Sequence, residues 1–149
     1  MYFNFVIIGD CVSKKNSNNV WVNKATNRPI FTRHKNYRDW EASAIKQLIL
    51  QKNLLGIKEP IKELLSGTFF FYRTNLRSDC SNLEEGVLDS IEKSGIVKND
   101  NLFRWHSSEL FIDKANPRVE IIINEYMGEY QENAAKLYIN WANNNDRRE

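Results

Sequence analysis

The chain's 149 residues, 42% hydrophobic and 27% charged, suffice for one domain that folds without a metal or disulfide staple. This makeup excludes collagen-like, mucin-like and wholly disordered classes. The net charge of +2, from 21 Lys and Arg against 19 Asp and Glu, taken alone argues against a nucleic-acid partner.

Along the chain, Tyr2 to Ile8 reads as a strand ended by Gly9-Asp10, with no basic region before it to suggest a secretory leader. A polar loop follows from Ser13 to Asn19. Val20 to Asn23 and Ile30 to Thr32 then form short strands about an Asn27-Arg28-Pro29 turn. From Asn36 to Lys52 the pattern is helical, and Tyr37, Trp40, Ala44, Leu48 and Leu55 recur as one buried face. Pro60 opens a short helix with Ile61, Leu64 and Leu65 inward and Gly67 as its stop. Gly67 to Arg73 is a β-rich run suited to a central strand.

Ser81 is placed to cap a helix running to Ser94, with Glu84 completing a capping box and Gly95 ending it. Strands at Phe103 to Ile112 and Arg118 to Glu125 are joined by a hairpin around Lys114 to Pro117. A last helix spans Gln131 to Asn143. Strands and helices mix without regular alternation, which predicts a single α+β domain with a mixed sheet. That domain covers residues 1–128, with 129–149 as its helical extension. Cys11 and Cys80 fit no zinc spacing, and no apolar run approaches membrane-spanning length. A soluble, cytoplasmic chain with reduced thiols is the expectation.

The total charge conceals a division. Between Ser13 and Lys46, eight basic residues (Lys14, Lys15, Lys24, Arg28, Arg33, Lys35, Arg38 and Lys46) oppose only Asp39 and Glu41. That segment carries +6 and leaves −4 for the remainder. Interleaved with Asn, Ser, Trp21 and Tyr37, these cations suit a phosphate backbone, where each displaces condensed counterions. A solvated face would show the same count. From Asp79 to Asp100 the balance reverses, and Asp79, Glu84, Glu85, Asp89, Glu92 and Asp100 face only Lys93 and Lys98. On a helix, Asn82, Glu85 and Asp89 share a stripe. If the following turn folds back, Asp100 joins them in an oxygen-rich pocket of the kind Mg²⁺ prefers. Phosphodiester cleavage by a metal needs both parts, cations to hold the strand and carboxylates to hold the ion.

The run Asp79-Cys80-Ser81-Asn82-Leu83, then Asp89-Ser90-Ile91, then Gly95-Ile96-Val97-Lys98-Asn99-Asp100 resembles the signature of RusA-type Holliday junction resolvases. Val12-Ser13-Lys14-Lys15-Asn16 is similar to that family's polar loop, and Pro117 to Glu125 to its closing strand. The resemblance covers about Phe3 to Glu125. It implies a RusA-like α+β fold and a homodimeric endonuclease that cuts four-way DNA junctions symmetrically with Mg²⁺ or Mn²⁺. Its setting would be recombination and repair in the cytoplasm of a bacterial or phage-infected cell.

By position, Asp79 and Asp100 match two metal-binding aspartates, and Asp89 matches the helix aspartate. Ser81 stands where a third aspartate is common, and Glu85 where the best-known members have a lysine. Glu85 is therefore expected to supply the carboxylate that Ser81 lacks. The expected catalytic and metal set is Asp79, Asp100, Glu85 and Asp89. Ser81 and Asn82 brace it, and Lys14, Lys15, Asn16, Arg33, Lys35 and Arg38 hold DNA. Trp21 is open to base stacking as well as to packing. Two other outcomes stay open: a branched-DNA-binding protein that has lost catalysis, and a nuclease for other branched or flapped DNA.

Overall fold

The computed structural model describes residues 2–14 and 18–128. Lys15, Asn16 and the segment 129–149, with its expected helix, lie outside the described residues. The elements in order are β1 (Tyr2–Ile8), β2 (Asn18–Asn23), β3 (Arg28–Arg33), α1 (Lys35–Leu54), β4 (Leu65–Arg73), α2 (Cys80–Lys93), a 3-10 turn (Asp100–Leu102), β5 (Phe103–Ile112) and β6 (Arg118–Glu125). Four strands make one mixed sheet in the order β1-β6-β4-β5, and β2 and β3 form a separate two-stranded ribbon. The mixed sheet with two helices is the expected α+β fold.

β4 is central: Leu65, Phe69 and Phe71 are fully buried in the core, and Phe70 and Tyr72 on the opposite face are half-buried. It pairs parallel with β5 and antiparallel with β6. The expected hairpin between β5 and β6 is therefore absent: β4 lies between them. The connection crosses the end of β4, where the Asp113 N–H donates to the Arg73 carbonyl at 2.9 Å. Parallel neighbours need a crossover, and α2 supplies it.

Both helices cover one face of the sheet. Tyr37, Trp40, Ala44 and Leu48 from α1 and Leu83, Val87 and Ile91 from α2 join Phe5, Ile7, Phe69, Phe71, Val119, Ile121 and Ile123 in a single core. Leu55 is not in it; it lies beyond α1 and is 47% exposed. The helices approach closely at Gly86, where a Cβ would stand 3.2 Å from the Tyr37 ring.

The helix expected after Pro60 does not form. Ile61 instead makes a parallel bridge to Val97, and four residues before a buried strand leave no room for a stable turn of helix. Gly67 lies inside β4 rather than stopping a helix, and a Cβ there would come within 2.9 Å of the Phe69 ring. The turn between β2 and β3 is Lys24 to Asn27, so Arg28 and Pro29 belong to β3. Proline is tolerated there because either strand of a two-stranded ribbon is an edge.

β1 is also an edge, and α1 closes it. Gln51 accepts from the Val6 N–H (2.8 Å) and donates to the Val6 carbonyl (2.7 Å), and Gln47 does the same at Ile8 (2.7 and 3.0 Å). Two amides one helical turn apart thus occupy the positions of a missing strand, and they blunt an edge that would otherwise recruit another chain. Replacing both with Ala is expected to cost about 1–2 kcal/mol. A melting curve should show a drop of a few degrees with earlier aggregation, and an unchanged curve would contradict the role.

Candidate active site and nucleic-acid interface

β4 delivers the chain to α2 through the loop from Thr74 to Asp79. Asp79 is the N-cap: its carbonyl accepts from the N–H of Asn82 and of Leu83 (3.1 and 3.3 Å), while its side chain makes no capping bond. The exposed carboxylate stands at the positive end of the helix dipole. The expected capping box of Ser81 and Glu84 is not formed, because the helix starts at Cys80 and Glu84 turns inward. Glu84 is 8% exposed. It accepts from Ser108 and pairs with His106 Nδ1 at 2.8 Å, which ties α2 to β5. This inward acid gave no signal in a sequence where it reads as one of six.

Ser81 and Glu85 are both exposed and lie one turn apart on α2, and Asn82 and Asp89 are half-buried. Asp89 forms an ion pair with Lys14. The Lys14 carbonyl in turn accepts from Arg33 Nη1 at 3.1 Å. Two residues expected to hold DNA are therefore joined to one expected to hold metal. Beside them, the Tyr37 hydroxyl donates to Glu41 (3.2 Å), which also pairs with Lys93 (2.6 Å). Burial, followed by the negative charge of Glu41 and Asp89, pushes the Tyr37 phenol far above its ordinary pKa, so this tyrosine donates and does not ionise. Lys35 and Arg38 are exposed on the first turn of α1, and Lys35 pairs with Asp39.

Asp100 sits elsewhere. Gly95, at φ +72°, ends α2 and turns the chain toward Ile61, and the 3-10 turn then begins at Asp100. The Asp100 N–H donates to Glu92 Oε2 at 3.0 Å, which fixes it at the C-terminal end of α2. The turn thus folds back onto Glu92, which continues the stripe of Asn82, Glu85 and Asp89 at its C-terminal end. From Asp79 to Glu92 the helix rises about 20 Å at 1.5 Å per residue. Among the described residues no group of three or more His, Cys, Asp or Glu side chains is close enough to hold a metal ion. Within one chain, then, Asp79 caps α2, Glu85 and Asp89 lie along it and Asp100 opens the 3-10 turn beyond it, and no three of them lie close enough together to hold a metal ion.

Arg73 also escaped the sequence reading. It is 7% exposed, donates to the Cys11 carbonyl at 2.9 Å and lies 3.3 Å from Asp10 Oδ1. It anchors the start of the loop that carries Lys14. Burial raises the neighbouring Cys11 thiol far above its ordinary pKa and leaves it inert.

No described helix is long and apolar enough to cross a membrane. A family model described as endodeoxyribonuclease RusA matches residues 12–124. No curated protein matches the chain.

Proposed function

The chain belongs to the RusA endodeoxyribonuclease family, and on that premise we propose that it is a metal-dependent, cytoplasmic nuclease that resolves four-way DNA junctions as a homodimer. The observation that carries this reading is the junction of the two charge segments. Lys14 on the basic loop meets Asp89 on the acidic helix, and Arg33 holds the loop from behind. Strand-binding cations and candidate ligands thereby share one surface, as phosphodiester hydrolysis requires.

The helix length dictates how the carboxylates are used. Asp79 and Asp100 stand at opposite ends of α2, so they meet only when a second copy brings its own Asp100 to Asp79. We assign the metal position to that meeting. Asp79, Glu85 and the hydroxyl of Ser81 come from one protomer and Asp100 from its partner, with Asn82 bracing the turn. Glu85 lies one helical turn from Ser81 on the exposed stripe, which supports its standing in for the absent aspartate. When bound there, Mg²⁺ or Mn²⁺ would polarise the scissile phosphate and lower the pKa of an attacking water. The chain's own part is to place carboxylates and to hold the strand with Lys14, Lys15, Asn16, Arg33, Lys35 and Arg38. Asp89 keeps Lys14 oriented until phosphate competes for it.

Labelled four-way junction, flap and duplex DNA, incubated with and without Mg²⁺ or Mn²⁺, test the reading. Paired symmetric nicks in the junction alone are expected. Cutting of flaps instead would move the substrate to another branched DNA. Tight junction binding without any nick would favour a protein that has lost catalysis, as Ser81 in place of an aspartate would allow.

A further inference from the structure

The β2–β3 ribbon has the wrong surface for a solvated arm. A two-stranded hairpin is marginal in water, yet this one leaves Val20, Trp21, Val22, Ile30 and Phe31 between 45% and 69% exposed. The register pairs Val20 with Phe31 and Trp21 with Ile30. Successive residues alternate faces, so Phe31 projects from one face of the ribbon and Trp21 from the other. Trp21 is held in place, since its Nε1 donates to Thr32 Oγ1 at 3.1 Å. An aromatic ring on each face, one of them braced, makes a two-sided wedge.

Charge decides what the wedge enters. From Cys11 to Arg38 the sequence holds seven Lys or Arg and no Asp or Glu. A second copy of the ribbon would set like charges against each other, whereas a nucleic acid supplies the missing sign. The ribbon also ends at Arg33, whose side chain reaches the loop paired with Asp89, so whatever it enters lies beside the candidate carboxylates. A two-stranded ribbon fits the width of a DNA groove, and apolar side chains inserted at a base step unstack it.

We propose that the β2–β3 ribbon enters the open centre of branched DNA, where Trp21 and Phe31 stack on the bases to either side. This rests on the nuclease reading and names how the same protein finds a branch point. A continuous duplex presents no open base face, so the wedge favours branched over linear DNA.

The full chain, in EDTA so that nothing is cut, would be bound to a four-way junction carrying 2-aminopurine beside the branch point and to a duplex of the same sequence. Wild type is expected to raise the 2-aminopurine fluorescence in the junction. The Trp21→Ala/Phe31→Ala variant should bind the junction on the order of tenfold or more weakly, with the fluorescence rise lost and duplex binding unchanged. Both rings are exposed, so an unaltered melting temperature is expected, and Trp21→Phe should retain the signal. Equal junction affinity and an equal rise in the Ala variant would overturn the wedge while leaving the nuclease reading intact. So would conversion of a dimer to a monomer by the same variant in sedimentation, since the ribbon would then belong to a second copy. Wild type that binds no DNA at all would remove the nuclease reading, and the wedge with it.

Discussion

Asp79→Asn and Asp100→Asn, each tested alone, should lower junction cleavage by at least about 10²–10³-fold, the scale for losing one group that stabilises a transition state. Junction binding should persist, because the cations that hold the strand are untouched. Their mixture should behave differently. In a dimer of one Asp79→Asn chain and one Asp100→Asn chain, one composite site collects both substitutions and the other collects none. Unfolding and refolding the two variants together should therefore restore cutting, but as single nicks in place of paired ones. A site built within one chain would leave both protomers of the mixed dimer inactive. Absence of nicking in the mixture, with mixed dimers verified by differently tagged chains, would sink the two-chain assignment. The roughly 20 Å rise of α2 between Asp79 and Glu92 is the reason to expect restoration.

That helix also marks where reading the sequence stopped working. Strands β1, β5 and β6 were legible because apolar residues recur along each and Gly9, Asp113 and Pro117 bound them. The face of α1 was legible because Tyr37, Trp40, Ala44 and Leu48 repeat at helical spacing. Strand order was not, since adjacency in sequence favours a β5–β6 hairpin, whereas the pairing of β4 with both strands is long-range. Nor was the inward turn of Glu84, which depends on finding His106 and Ser108 across the crossover. The site divides in the same way. Charge segregation and the Asp79 motif are local and could be read, whereas Asp100 follows a turn whose direction is set by Gly95 and by the Ile61–Val97 bridge. Gln47 and Gln51, two unremarkable surface amides in sequence, close a sheet edge only because α1 lies beside β1. Long-range partners carry these roles, and no local pattern announces them.

Arg73→Ala should produce the largest loss of stability outside the core. The residue is 7% exposed, and its guanidinium holds two groups from the segment after β1, the Cys11 carbonyl at 2.9 Å and the Asp10 carboxylate at 3.3 Å. Removing one partner of a buried pair leaves the other charge poorly solvated, at a cost of about 3–5 kcal/mol when both are fully enclosed. The Asp10 side chain is 33% exposed and keeps a bond from Thr74, so screening by water lowers the expectation to about 2–3 kcal/mol. For a chain of this length that is a fall in Tm of about 5–10 °C. Adding Asp10→Asn to Arg73→Ala should recover part of the loss, because the stranded charge is then gone, whereas Asp10→Asn alone should destabilise. This non-additivity separates a charge pair from simple loss of side-chain volume. The same change should reach the active surface, since Arg73 anchors the chain three residues before Lys14. Junction affinity should fall at temperatures where the variant is still folded, with a shallower dependence on salt as the loop's cations lose their placement. Purely additive melting shifts, or junction affinity equal to wild type well below the lowered Tm, would show that Arg73 supports the fold without positioning the loop.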